Sequence, residues 1–66
     1  MEITVNGQKK DYSGPPFVTA LLESMGISRD AVVVELNRRI VPRCQLIAEP
    51  MQEGDTIEII RFVGGG

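Results

Sequence analysis

The chain ends in three glycines, and the α-carboxylate of Gly66 is the group whose setting most suggests chemistry. Gly64, Gly65 and Gly66 follow directly on a segment that reads as a strand. Without Cβ atoms they can thread a narrow channel in a partner and present a carboxylate with no bulk beside it. Docking a flexible tail costs an ordering entropy of roughly 1–2 kcal/mol per residue, which contacts in the channel must offset. A frayed or appended end is the plainer reading of the same residues.

Little else in the sequence could do chemistry unaided. There is no His, so neither a Cys–His nor a Ser–His nucleophile pair can form within the chain. One cysteine, Cys44, and no His cannot make a zinc site of the usual kinds. No Gly-rich loop precedes a helix with a Lys at phosphate-cradling spacing. Glu53 and Asp55 flank a turn signal and read as solvated turn residues. No catalytic residue, metal site or bound cofactor is expected. Such a domain is acted on, or binds.

The 66 residues suffice for one core. A domain near this size buries only about 60% of the surface its unfolded chain exposes. Hydrophobic content of 42% and charged content of 24% fit a soluble globular domain. The aromatics are Tyr12, Phe17 and Phe62, so the core is expected to be aliphatic. A net charge of −2 and a pI of about 4.9 gather no polyanion, which argues against nucleic acid. Glu2 and Asn6-Gly7 interrupt any signal-peptide pattern, and no apolar run approaches the ~20 residues of a membrane span. With a lone cysteine, a reducing cytoplasm is the expected location. A monomer is the expected free state.

The elements that must position the tail follow from patterning. Residues 1–5 alternate, with Ile3 and Val5 on one face, as in a half-buried strand. Asn6-Gly7 suits the positive φ angles of a type I′ hairpin turn. Residues 8–12 then return as a polar edge strand. Beyond Ser13-Gly14-Pro15-Pro16 the period changes. Phe17, Val18, Leu21, Leu22 and Met25 share one helical face, Pro16 can open the helix, and Gly26 with Ile27 can close it. Residues 31–36 read as a strand with Val32, Val34 and Leu36 inward. Asn37-Arg38 is a turn that, as type I′, forces Arg38 to positive φ. Residues 39–41 return until Pro42, residues 43–52 are irregular with a short helical turn, and Glu53-Gly54-Asp55 turns into a last strand over 56–63. One helix and five strands predict a two-layer α+β domain, with the first and last strands side by side at the centre. This is the β-grasp, a domain over residues 1–63 followed by a glycine tail over 64–66.

The segments Val34-Glu35-Leu36-Asn37, Ile40-Val41-Pro42-Arg43, Gly54-Asp55 with Ile57-Glu58-Ile59, and Phe62-Val63-Gly64-Gly65-Gly66 closely resemble the ThiS family of sulfur carriers in thiamine biosynthesis. Asn6-Gly7 and Leu21-Leu22 are similar too, and the resemblance runs over essentially the whole chain. It implies that an adenylating enzyme of the ThiF kind uses ATP and magnesium to convert the Gly66 carboxylate to an acyl adenylate. A cysteine desulfurase or relay protein then supplies persulfide sulfur. The resulting thiocarboxylate feeds a thiazole synthase of the ThiG kind. Three positions depart from the pattern: Phe17 stands where the helix often has a capping Thr, Arg38 where the turn often has Gly, and Cys44 where a polar residue is usual. Cys44 reads as an incidental thiol.

Two further groups bear on partners. Ile57 and Ile59 share one face of the last strand, Ile60 and Phe62 the other. Ile60, Phe62 and Val63 are therefore the expected docking patch beside the tail, unless a loop covers them. Arg38, Arg39 and Arg43 form a basic cluster in sequence, read as a solvated face or, more sharply, as guidance for an acidic partner. The tail chemistry leaves other readings open. These are a carrier for molybdopterin or amino-acid synthesis, a ubiquitin-like modifier joined to lysines through Gly66, and an interaction module with an idle tail.

Overall fold

A computed structural model of the chain describes residues 1–62. It is a mixed five-stranded sheet with one α-helix across a single face, the β-grasp arrangement. The strands are β1 (Glu2–Val5), β2 (Gln8–Asp11), β3 (Val32–Leu36), β4 (Arg39–Val41) and β5 (Thr56–Arg61), in the spatial order β2-β1-β5-β3-β4. β5 is central. It runs parallel to β1, with Thr4 opposite Thr56, and antiparallel to β3, with Val34 opposite Ile59.

Both tight hairpins form as the sequence predicts. Asn6 and Gly7 take φ of 51° and 81°, and Asn37 and Arg38 take 52° and 69°. Positive φ at both central residues is the type I′ signature, whose twist matches that of the flanking strands. Arg38 therefore carries the cost of a Cβ in the left-handed region.

The helix α1 (Val18–Ser24) is short, and its start differs from expectation. Phe17 occupies the N-cap position with no side-chain oxygen to offer, so Pro16 lies outside the helix. The orphan N–H groups of the first turn are met from elsewhere. Val18 N–H donates to the Glu49 carbonyl at 3.1 Å, and Thr19 N–H to the Leu46 carbonyl at 3.3 Å. In return Met51 N–H donates to the Pro16 carbonyl at 2.8 Å. The irregular segment after β4 thus caps the helix, and it buries Leu46 and Met51 in doing so. The helix ends as predicted. Gly26, at φ 70°, donates to Glu23, and Ile27 N–H reaches the Leu22 carbonyl at 2.9 Å. That pair of bonds is a Schellman closure.

The core lies between helix and sheet: Val18, Leu21 and Leu22 meet Ile3, Val5, Val32, Val34, Ile57 and Ile59. Two helical-face residues expected there are not in it. Phe17 is 39% exposed and Met25 36%, because each flanks a helix of only seven residues. Conversely the core is not purely aliphatic. Tyr12 is buried, its hydroxyl donating to the Pro15 carbonyl at 2.6 Å. Burial pushes its phenol above the ordinary value of 10.0, and the Glu23 carboxylate adds to the shift. Gly14 makes room for this ring, since a Cβ there would stand 2.6 Å from the Tyr12 oxygen.

Candidate docking face and tail root

Everything that leads to the C-terminus rides on β5. The strand is held on both sides: by β1 through Thr4 N–H to the Asp55 carbonyl and Asn6 N–H to the Ile57 carbonyl, each 2.9 Å, and by the five-residue register with β3. Two turn asparagines extend this hold beyond the ladders. The Asn6 side-chain oxygen accepts from Ile59 N–H at 2.8 Å. The Asn37 side-chain oxygen accepts from Thr56 N–H at 3.0 Å, while its amide nitrogen donates to Asp55 at 3.1 Å. After β5, Phe62 N–H donates to the Ala31 carbonyl at 3.1 Å. The chain is therefore anchored to the last described residue, just before Val63 and the glycines. Val63, Gly64, Gly65 and Gly66, all predicted site residues, lie outside the described residues.

The strand separates its residues as the alternation predicts. Ile57 and Ile59 are buried beneath the helix, whereas Ile60 is 48% exposed on the opposite face, and Phe62, just past the strand, is 54% exposed and lines a recess with Gly26, Ile27 and Ala31. No loop of the described residues covers them. Register adds neighbours that strand-by-strand reading missed. Ile60 stands opposite Val33, Glu58 opposite Glu35, and Glu35 in turn opposite Ile40, which is 62% exposed. The open face thus combines Ile40 and Ile60 with two carboxylates directly across from each other, and exposed Phe62 follows just past the end of β5. Ile40 was legible in principle: the Asn37-Arg38 turn fixes Leu36 against Arg39, and hence Glu35 against Ile40.

The expected arginine cluster does not form. Arg39 is turned to Glu49 in a 3.0 Å ion pair. Arg38 lines a shallow recess with Asn37, Thr56 and Glu58, and Arg43 lines a different one with Arg29, Cys44 and Ile47. Neighbours in sequence are parted because the turn and Pro42 redirect the chain between them. Cys44 is exposed. Among the described residues no group of three or more His, Cys, Asp or Glu could hold a metal ion, and no helix is long and apolar enough to cross a membrane.

These features have close counterparts among known proteins. The crystal structure of the thiamine biosynthesis protein ThiS from Geobacter metallireducens superposes with a TM-score of 0.84 at 35% identity, covering all of both chains. The sulfur carrier protein ThiS of Escherichia coli is 30% identical over the full length of each. Two thiazole synthases, from Paramagnetospirillum magneticum and Magnetococcus marinus, are 36% and 35% identical over the whole of this chain. The chain spans about a fifth of the length of each of these two. The model of the ThiS family matches residues 3–66, a span that takes in the glycine end. With a matching sheet and helix, and a family match that runs through the glycines, the chain belongs to the ThiS family.

Proposed function

We propose that this chain carries sulfur for thiazole formation in thiamine biosynthesis, as a thiocarboxylate on Gly66. The observation that carries the reading is the family match running through Gly64, Gly65 and Gly66, two residues beyond a strand whose open face stays exposed. The chemistry needs a partner. A carboxylate is a poor electrophile because oxide is a very poor leaving group. Attack of the Gly66 carboxylate on the α-phosphate of magnesium-bound ATP expels pyrophosphate and leaves an acyl adenylate. A persulfide from a cysteine desulfurase or relay protein attacks the acyl carbon and expels AMP. A second thiol then attacks the donor's cysteine sulfur and cleaves the sulfur–sulfur bond, so that this cysteine leaves in a disulfide and the transferred sulfur stays on Gly66 as the thiocarboxylate. ATP and magnesium belong to the adenylating enzyme, and the carrier contributes the carboxylate, the narrow tail and the docking face formed by Ile60, Phe62 and Val63.

The two thiazole synthases supply support for the consumer. In each, a stretch similar to this chain shares one polypeptide with a protein named for thiazole synthesis. That favours a thiazole synthase over molybdopterin or amino-acid synthesis as the destination, and a carrier over a lysine-linked modifier.

The test is intact mass after incubation with adenylating enzyme, ATP, magnesium and a sulfur donor. Exchange of one terminal oxygen for sulfur adds about 16 Da, on Gly66. A C-terminal extension blocks it. A gain of about 32 Da on Cys44, removed by reductant, would replace this mechanism with a persulfide relay.

A further inference from the structure

Glu35 and Glu58 set two carboxylates opposite each other across the sheet. They are direct cross-strand partners in the β3–β5 ladder. Their shared face is the open one, opposite the helix, for the residues on either side of each, Val34, Leu36, Ile57 and Ile59, are buried. Like charges placed directly across a ladder destabilise it. Neither carboxylate makes an ion pair with a Lys or Arg of the described residues. Arg38 lines the same recess as Glu58 without pairing to it, and Arg39, one residue on, is committed to Glu49. Around the two acids stand the exposed apolar side chains of Ile40 and Ile60, with exposed Phe62 just beyond the end of β5. An unpaired negative centre among exposed hydrophobics is the complement of a positive group set in an apolar hollow.

We infer that Glu35 and Glu58 together form the charge-recognition element of the docking face, receiving an arginine or lysine of the adenylating enzyme between their carboxylates while Ile40, Ile60 and Phe62 fill the apolar surface around it. This rests on the proposed docking role of that face and adds the chemistry the partner must present. One cation between two acids removes their mutual repulsion on binding, so the pair costs the free carrier stability and returns it in the complex. Continuity favours this occupant: β5 carries Glu58 and Ile60, and the chain then runs through Phe62 into the tail that the same enzyme must receive.

Binding to the purified adenylating enzyme tests it, with Kd measured between roughly 0.05 and 0.5 M salt, where screening changes most. Glu58→Gln and the double variant Glu35→Gln/Glu58→Gln keep side-chain shape and lose charge. Expected is a Kd raised about tenfold at low salt in the double variant, with a flattened salt response. Glu58→Asp should retain most of the affinity. The Tm of the free Gln variants should equal or exceed that of the parent, since repulsion is relieved. A lower Tm in the Gln variants, or weaker binding with the parent's salt response, would overturn the inference. Unchanged binding in the Gln variants alongside weakened binding in Ile60→Ala would also overturn it while leaving the docking face in place. Unchanged binding in all of them would remove the docking face as well.

Discussion

The side-chain oxygen of Asn6 accepts a 2.8 Å hydrogen bond from the backbone N–H of Ile59, fifty-three residues later in the chain. β1 ends at Val5, and its pairing with β5 ends at Ile57. On the β1 side Ile59 therefore has no strand residue opposite it, and a turn side chain takes the strand's place there. Asn6 does two jobs at once: it accepts positive φ for the hairpin, and it extends the hold on the strand that leads to the tail.

Asn6→Gly separates those jobs. Glycine keeps the type I′ turn but removes the acceptor, leaving a partly buried N–H unsatisfied. The expected loss is about 1–3 kcal/mol, read from denaturant midpoints at unchanged m. Asn6→Asp retains an acceptor and should lose less. Equal stability of Asn6→Gly and the parent would show that water serves Ile59 as well.

Arg38→Gly should move stability the other way. Arg38 sits at φ 69°, where a Cβ costs roughly 1–2 kcal/mol. Glycine removes that cost but gives the unfolded chain more freedom, so a net gain of about 0.5–1 kcal/mol is expected. Arg38→Val should instead lower the midpoint, because a β-branched residue fits this region worst.

Tyr12→Phe should change stability in a pH-dependent way. The folded phenol titrates above 10.0, so above about pH 10 the unfolded chain loses this proton first. The stability tied to the neutral phenol is fully present below that pH and is lost as pH rises towards the folded value. The phenylalanine variant lacks this alkaline loss, so the gap between the two stability curves should narrow above pH 10. At neutral pH it should be less stable by about 1 kcal/mol, because the Pro15 carbonyl loses its donor. A constant gap from pH 7 to about 11 would contradict this assignment.

The elements were legible because each local signal agreed with the global fold. Alternation placed Ile3, Val5, Val32, Val34, Leu36, Ile57 and Ile59 inward, and all are buried. Asn-Gly and Asn-Arg marked the two turns, and Gly26 marked the helix end. The errors arose where a long-range partner overrides a local pattern. Phe17 and Met25 continue the helical stripe in sequence, but the helix is too short to carry them into the core. Leu46 and Met51 sit in a segment without periodicity, so no pattern announced them. They are buried because that segment caps the helix through Leu46 and Glu49 carbonyls. Tyr12 gave no signal because its burial depends on a carbonyl three residues on and on the absence of a Cβ at Gly14. In the candidate site, Ile60 and Phe62 followed from strand alternation alone. The Glu35–Glu58 pair needed the β3–β5 register, which no single strand encodes.

Phe62→Ala should divide docking from folding. Phe62 is 54% exposed, and its one described hydrogen bond, to the Ala31 carbonyl, is made by the backbone and survives the substitution. Its loss should therefore cost less than about 1 kcal/mol of stability. Ile57→Ala is the contrast: Ile57, five residues earlier, is fully buried under the helix, and its truncation should cost about 2–5 kcal/mol. The two should differ in the opposite sense towards the adenylating enzyme proposed above. Exposed aromatics at the centre of an interface are typical anchors, so Phe62→Ala should raise Kd about tenfold or more. Folded Ile57→Ala, assayed well below its Tm, should bind nearly as the parent does, because its side chain never meets the partner. Denaturant midpoint and Kd on the same two variants give the answer. A large loss of stability in Phe62→Ala with unchanged Kd would place the ring in the core and leave Ile60 to carry the docking face.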